Sequence, residues 1–223
     1  TAIEAQRQKE EFSENFAGRL IAPKIGYVKI NAFNDEKFVK AFQVLVSSLE
    51  ARGANTLILD LRDNPGGMLQ SAISISNFFR KDHPNLFSNP PIVYIKYRGK
   101  EEQERGTVSE AGKFSKLKVI ILTNEGSASA SEIVTAYLKN YCGAKVIGKT
   151  TFGKGVGQSI MKLSSGGVLM LTTFEYLVGK NMVKVHGIGV APDIEIENPE
   201  KVEVEANDLQ LKRAIEEAQK LIE

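Results

Sequence analysis

Thr56-Leu-Ile-Leu-Asp-Leu61 is an almost unbroken apolar run of strand length. Successive strand side chains point to opposite faces, so such a run has to be buried on both sides. A sheet covered by helices on each face meets that requirement. Asn64-Pro65-Gly66-Gly67 follows at once as a turn, and Leu69 to Phe79 then reads as a helix. This strand–turn–helix unit directs the chain toward an α/β domain.

The rest of the sequence repeats the pattern. Ile25 to Ile30 reads as a strand, and Asn34 is a candidate N-cap for a helix whose apolar face carries Phe38, Phe42, Leu45 and Leu49. Gly53 closes that helix. Ile92 to Tyr97, Val119 to Leu122 and Lys145 to Ile147 are further strands, and Ser129 to Cys142 is a helix. Arg98 to Phe114 is charged and reads as loop or hairpin. Gln158 to Leu163 and Val168 to Phe174 form a hairpin around Ser164-Ser165-Gly166-Gly167. Ile188 to Ile196 carries Gly189 and Pro192, so it is a bent, strand-like segment. Phe12, Phe16 and Leu20 recur at a spacing of four, which predicts an N-terminal helical segment over 1–24, stopped by Pro23. Asp208 to Ile222 aligns Leu211, Ile215, Ala218 and Ile222 as a C-terminal helix within 201–223. Residues 25–200 are then an α/β core with helices packed on a mixed sheet.

Composition closes off several functions. The 29 basic and 27 acidic residues are scattered and leave a net charge of only +2, which argues against nucleic acid as a partner. No apolar stretch reaches the ~18 residues of a membrane span, and no secretory leader is evident. Cys142 is the single cysteine and forms no metal-ligand cluster with histidine, so neither a metal nor another cofactor is expected.

Three segments break local rules in ways that suggest chemistry. Asp60-Leu-Arg-Asp-Asn-Pro-Gly-Gly67 puts two glycines at a strand-to-helix turn, where backbone N–H groups face an anion or an oxyanion. Asn124-Glu-Gly-Ser-Ala-Ser-Ala-Ser-Glu132 crowds small residues into a second such turn. One of its serines must in any case cap the helix. Thr150-Thr-Phe-Gly-Lys-Gly-Val-Gly-Gln158 sets a lysine between glycines after a strand. Gly155 stands where a phosphate-binding loop needs Ser or Thr, so a nucleotide site is not indicated.

Together these segments, with Ile25-Gly-Tyr-Val-Lys-Ile30 and Gly187-Ile-Gly-Val-Ala-Pro-Asp193, resemble the C-terminal processing (tail-specific) serine peptidases. The resemblance implies a ClpP/crotonase-like core and a serine endopeptidase with a Ser/Lys dyad. The family's nucleophile stands 25 positions before its lysine, which selects Ser129 with Lys154. A glutamine follows the lysine by four, which is Gln158. The oxyanion donors it implies are the N–H of Gly66 or Gly67 and that of Ala130, and Glu132 matches a supporting position. A serine hydroxyl needs a base within about 3 Å, and lysine acts as one where burial disfavours its ammonium form. His83 and His186 argue against a Ser-His-Asp triad: His83 reads as surface, and His186 falls where the family's pattern varies.

The resemblance further implies polypeptide substrates, cut in unstructured or C-terminal segments, and an extracytoplasmic site such as the periplasm or cell surface. It allows a homo-oligomer. Most members carry a PDZ domain ahead of the core, and the 24 residues before Ile25 are too few for one. Asn140 replaces an aspartate common in the family. The rival reading is a non-catalytic ligand- or peptide-binding module on the same core. It gives Ser129, Lys154 and Gln158 no reason to keep their spacing.

Overall fold

The computed structural model describes residues 11–13, 16–81, 91–97, 99–104, 111–199 and 207–222. Its main sheet has seven strands in the order β1 (Glu11–Ser13), β2 (Phe16–Ala22), β3 (Ile25–Ile30), β4 (Thr56–Asp60), β7 (Lys118–Thr123), β8 (Lys145–Gly148) and β12 (Ile194–Glu195). From β3 to β12 neighbours run parallel, while β1, β2 and β3 form an antiparallel meander. A smaller antiparallel sheet joins β5 (Val93–Tyr97), β6 (Lys100–Glu104), β10 (Val168–Val178) and β11 (Val183–Lys184), with β9 (Val156–Lys162) paired to β10.

The apolar run of β4 behaves as its sequence requires. Leu57 and Leu59 enter the large core beneath α1 (Glu36–Ala51), α2 (Leu69–Phe79) and α3 (Ala130–Tyr137). Ile58 faces the other way, into a second core with Ile25, Ile120, Ile147 and Leu211. Helix α4 (Leu209–Lys220) covers that second face through Leu211, Ala214 and Ala218. Fully burying a leucine contributes about 1.5–3 kcal/mol, so Leu211 is the anchor whose truncation would loosen α4.

Asp60 lies on the α4 side of the sheet and is fully buried. Arg62 embraces it with Nε at 2.9 Å and Nη2 at 2.6 Å, and Tyr27 donates to it at 2.8 Å. The same guanidinium reaches Asp208 at 2.9 Å, and Asp208 caps α4 by accepting from Leu211 N. The Asp-Leu-Arg stretch is therefore a clamp that fixes α4 to the sheet.

The N-terminal expectation is corrected. Residues 11–13 and 16–22 are strands where the apolar spacing predicts a helix, and residues 1–10 lie outside the described ones. A spacing of four is also twice the strand repeat, so it puts residues on one face of either element. Pairing with β3 decides between them, with Phe16 opposite Ile30 and Leu20 opposite Gly26. The cap of α1 is also one residue later than predicted. Asp35 Oδ1, not Asn34, accepts from Phe38 N at 3.1 Å. Helix α3 is shorter than the sequence suggests, because its last turn, Leu138–Cys142, is π-helical. The segment 188–196 is mostly irregular and contributes only the two-residue β12. His83 falls outside the described residues.

Candidate active site

Three neighbouring parallel strands, β4, β7 and β8, release their chains at the same edge of the sheet. Ligands of open α/β sheets bind at the carboxyl ends of such strands. Here β4 leads into the Gly66-Gly67 turn, β7 into the Ser129 turn, and β8 into the Lys154 loop. The order of strands alone therefore brings the three sequence motifs together.

The two turns interlock through Asn64. Its carbonyl accepts Ala128 N at 2.9 Å and Ser131 Oγ at 2.9 Å. Its side chain donates to Ile30 O at 2.9 Å and accepts Gly66 N at 2.9 Å. Gly66 is required by proximity: a Cβ there would stand 2.8 Å from Ala130 N and 2.8 Å from Ser129 Cβ, at a φ of +104°. Asn64 takes the N–H of Gly66, and of the two glycines it is Gly67 that lines the cavity beside Ser129.

The three serines of the turn have different environments. Ser127 and Ser131 are fully buried, and their hydroxyls donate to Leu61 O at 2.8 Å and Asn64 O at 2.9 Å. Ser129 is half-buried and lies at φ 55° and ψ −113°. A non-glycine residue held there costs about 1–3 kcal/mol, which the surroundings must supply. Ala130 follows as the first residue of α3, so its N–H points out of the helix N-terminus.

Glu132 supplies much of that support. It is fully buried. Its Oε2 accepts Ser129 N at 2.8 Å and Lys154 N at 2.7 Å, and its Oε1 accepts Gly153 N at 2.7 Å and Thr151 Oγ1 at 2.6 Å. A buried carboxylate is tolerated when its lone pairs are satisfied by donors of this kind. Tyr176 on β10 adds a second tie, donating to Ser129 O at 3.1 Å and Lys154 O at 2.5 Å. Burial pushes its phenol far above the ordinary value, and the Glu132 charge adds to that, so the hydroxyl keeps its proton.

A cavity of about 470 Å³ opens above these groups, lined by Gly67, Ser129, Ala130, Lys154, Gln158 and Tyr176. Its remaining walls are largely apolar, including Phe33, Ile133, Ile160, Met170 and Phe174. Lys154 is partly buried, whereas Gln158 stands exposed on β9, opposite Thr172. His186 is exposed and does not line the cavity. Its main chain packs on Gly155, where a Cβ would come within 2.6 Å of His186 N. The glycine after Lys154 thus lets the loop pack closely. A second groove, of about 650 Å³, lies near the N-terminus of α4, where Arg62 pairs with Asp208 and Lys149 with Glu197. Among the described residues no cluster of His, Cys, Asp or Glu is arranged to hold a metal ion.

Sequence reasoning missed Thr151 and Tyr176. Tyr176 alternates with Phe174 and Val178 along β10, and that repeat of two was the available sign that it points inward. Nothing in the sequence shows that its hydroxyl meets Ser129 and Lys154.

Residues 24–196 match the family described as Peptidase family S41. The chain belongs to that family. Within it, a "Probable CtpA-like serine protease" of Staphylococcus epidermidis is 36% identical over 176 residues, which is 78% of this chain and 34% of the relative. A protein of the same description from Staphylococcus aureus is 35% identical over 177 residues, 79% of this chain and 34% of the relative. The chain thus spans about a third of the length of the curated relatives it matches. Among solved structures, the photosystem II D1 C-terminal processing protease superposes with a TM-score of 0.65 at 25% identity, covering 82% of this chain and 48% of that one. The tricorn protease superposes with a TM-score of 0.58 at 25% identity, covering 90% of this chain and 18% of that one. The S41 fold that these structures share is the ClpP/crotonase-like α/β core expected from the sequence.

Proposed function

We propose that this S41 domain is a serine endopeptidase in which Ser129 is the nucleophile and Lys154 the general base. One observation supports the reading above the rest. Ser129, Lys154, Gln158, Gly67 and Ala130 line a single cavity, while the hydroxyls of Ser127 and Ser131 are committed to main-chain carbonyls.

The chemistry follows from these positions. The neutral amine of Lys154 takes the Ser129 hydroxyl proton as the oxygen attacks the scissile carbonyl. Negative charge develops on the carbonyl oxygen. The N–H groups of Gly67 and Ala130, aided by the positive end of α3, stabilise it, and each donor of this kind is worth about 3 kcal/mol. The lysine ammonium returns its proton to the leaving amine, an acyl-enzyme forms, and water releases it by the same steps in reverse. Gln158 accepts from the lysine amine and keeps it aligned. Glu132 holds both turns in place through the main chain.

Substrates are polypeptide segments able to extend across the site, such as unstructured stretches or C-terminal tails. Among the described residues strand β9 pairs only with β10, which leaves its other edge for an added strand. The largely apolar walls suit uncharged side chains next to the scissile bond. An extracytoplasmic location is part of the reading by family likeness. Among the described residues no helix is long and apolar enough to cross a membrane.

Fluorophosphonate labelling followed by peptide mapping tests the assignment. Modification of Ser129, lost in Ser129→Ala, is expected. Lys154→Ala is expected to keep the fold and to slow hydrolysis of an unfolded protein by roughly 10²- to 10⁴-fold. A folded chain that is never labelled at any pH would return it to the class of binding modules.

A further inference from the structure

Both main-chain ends of Ser129 and of Lys154 are held by the same pair of side chains. Glu132 Oε2 accepts the two N–H groups at 2.8 and 2.7 Å. The hydroxyl of Tyr176 donates to the two carbonyls at 3.1 and 2.5 Å. A phenol has one proton, so this is a single donor shared between two acceptors.

Tyr176 is well placed to bear load. It is 2% exposed, its backbone pairs with Ile95 on β5, and its own N–H donates to Gly155 O at 3.0 Å. The residue is therefore anchored to the small sheet on one side and to the Lys154 loop on the other. The Ser129 turn belongs to the large sheet, at the start of α3. The phenol therefore bridges the two sheets at the point where nucleophile and base must meet.

We propose that Tyr176 is a positioning residue, whose hydroxyl clasps the carbonyls of Ser129 and Lys154 and so sets the approach of the base to the nucleophile. This rests on the reading of those two residues as nucleophile and base. Ser129 is held at a positive φ, and the Lys154 loop has no regular secondary structure of its own. With the clasp removed, Glu132 still ties the N–H ends and the first turn of α3 still holds the Ser129 carbonyl through Glu132 N and Ile133 N, but the Lys154 carbonyl is no longer joined to it. A displacement of about 1 Å between reacting groups costs up to ~10²-fold in rate.

The test is Tyr176→Phe in the full 223-residue chain, with Tyr141→Phe as a control that removes a phenol outside the cavity lining, one that accepts Asn181 N. Hydrolysis of an unfolded protein, the rate of fluorophosphonate labelling of Ser129 and the thermal midpoint are measured together. Tyr176→Phe is expected to lower kcat by about tenfold to a hundredfold and to slow labelling in parallel. KM should stay within about twofold and the midpoint close to that of the parent. Tyr141→Phe, which removes only the acceptor of Asn181 N, should match the parent in kcat and labelling. Parent-like kcat and labelling in Tyr176→Phe would overturn the clasp, and so would a loss that appears only in KM. Should Tyr176→Phe fail to fold, 4-fluorophenylalanine at position 176 fills the space of the hydroxyl but donates nothing, whereas 4-aminophenylalanine restores a donor there. The first should lower kcat and labelling and the second should keep both near the parent; parent-like values with the first overturn the clasp. If the parent itself is not labelled at Ser129, the peptidase reading fails with it, whereas a labelled parent with an equally labelled Tyr176→Phe sinks the clasp alone.

Discussion

Ser129 and Lys154 donate their main-chain N–H groups to one and the same oxygen, Oε2 of Glu132, at 2.8 and 2.7 Å. Residues 25 positions apart in sequence are thereby referenced to a single buried atom. In Glu132→Gln an amide NH₂ replaces one of the two oxygens and faces donors rather than acceptors. The expected result is a loss of about 3 kcal/mol in denaturant unfolding, together with loss of hydrolysis. Unchanged stability would mean that the four bonds to Glu132 do not hold the site.

The serines of the turn should separate cleanly. Ser129→Ala is expected to abolish hydrolysis while leaving the unfolding free energy within about 1 kcal/mol of the parent. Ser127→Ala removes a hydroxyl that donates to Leu61 O and accepts from Asn124 N. It should cost about 1–3 kcal/mol and keep activity in the folded fraction. The opposite pattern would move the nucleophile to Ser127.

Two glycines with positive φ make an internal comparison. Gly66 and Gly53 lie at φ +104° and +95°, but a Cβ on Gly66 meets Ala128 O, Ala130 N and Ser129 Cβ, while one on Gly53 meets nothing within 4 Å. Gly53→Ala should therefore cost only the backbone term, about 1–2 kcal/mol, with full activity. Gly66→Ala should add the steric term and displace Ser129. Equal activity in the two variants, measured on the folded fraction, would show that the close approach has no bearing on the site.

Acid should loosen α4 before it reaches the large core. Hydrogen bonds from Lys145 and then Lys220 hold the Glu217 carboxyl down to about 2, against an ordinary value of 4.5. Burial pushes Asp208 upward, but the Arg62 hydrogen bond and the Leu211 N–H outweigh it, and its net shift is also downward. A carboxyl lowered by folding contributes stability that is complete above its unfolded value and is lost as pH falls through the folded one. For Glu217 that window runs from pH 4.5 to about 2. Amide exchange in α4 should accelerate across it, and Glu217→Gln should flatten the dependence. Exchange that is flat over that range would remove Glu217 from the account of α4 docking.

How far the sequence could be read depended on the range of the interactions. The helix over Leu69–Phe79 and the strand over Ile25–Ile30 were legible because each follows from local period and turn residues. The N-terminal strands were not, since Phe16 and Leu20 satisfy both periods, and Phe12 belongs to the separate strand β1, which only the pairing of β1, β2 and β3 reveals. Among the site residues, Gly66 and Gly67 could not be told apart until Asn64 was seen to take the N–H of Gly66.

By itself, the sequence determined the α/β class and the three motifs, because hydrophobic period, glycine turns and residue spacing are written along the chain. Which glycine of the pair lines the cavity, and the joining of Ser129 to Lys154 through Glu132 and Tyr176, were decided by the tertiary structure alone. The physical reason is that hydrogen bonds between residues tens of positions apart depend on strand order and on how closely the loops pack, and no local pattern encodes either.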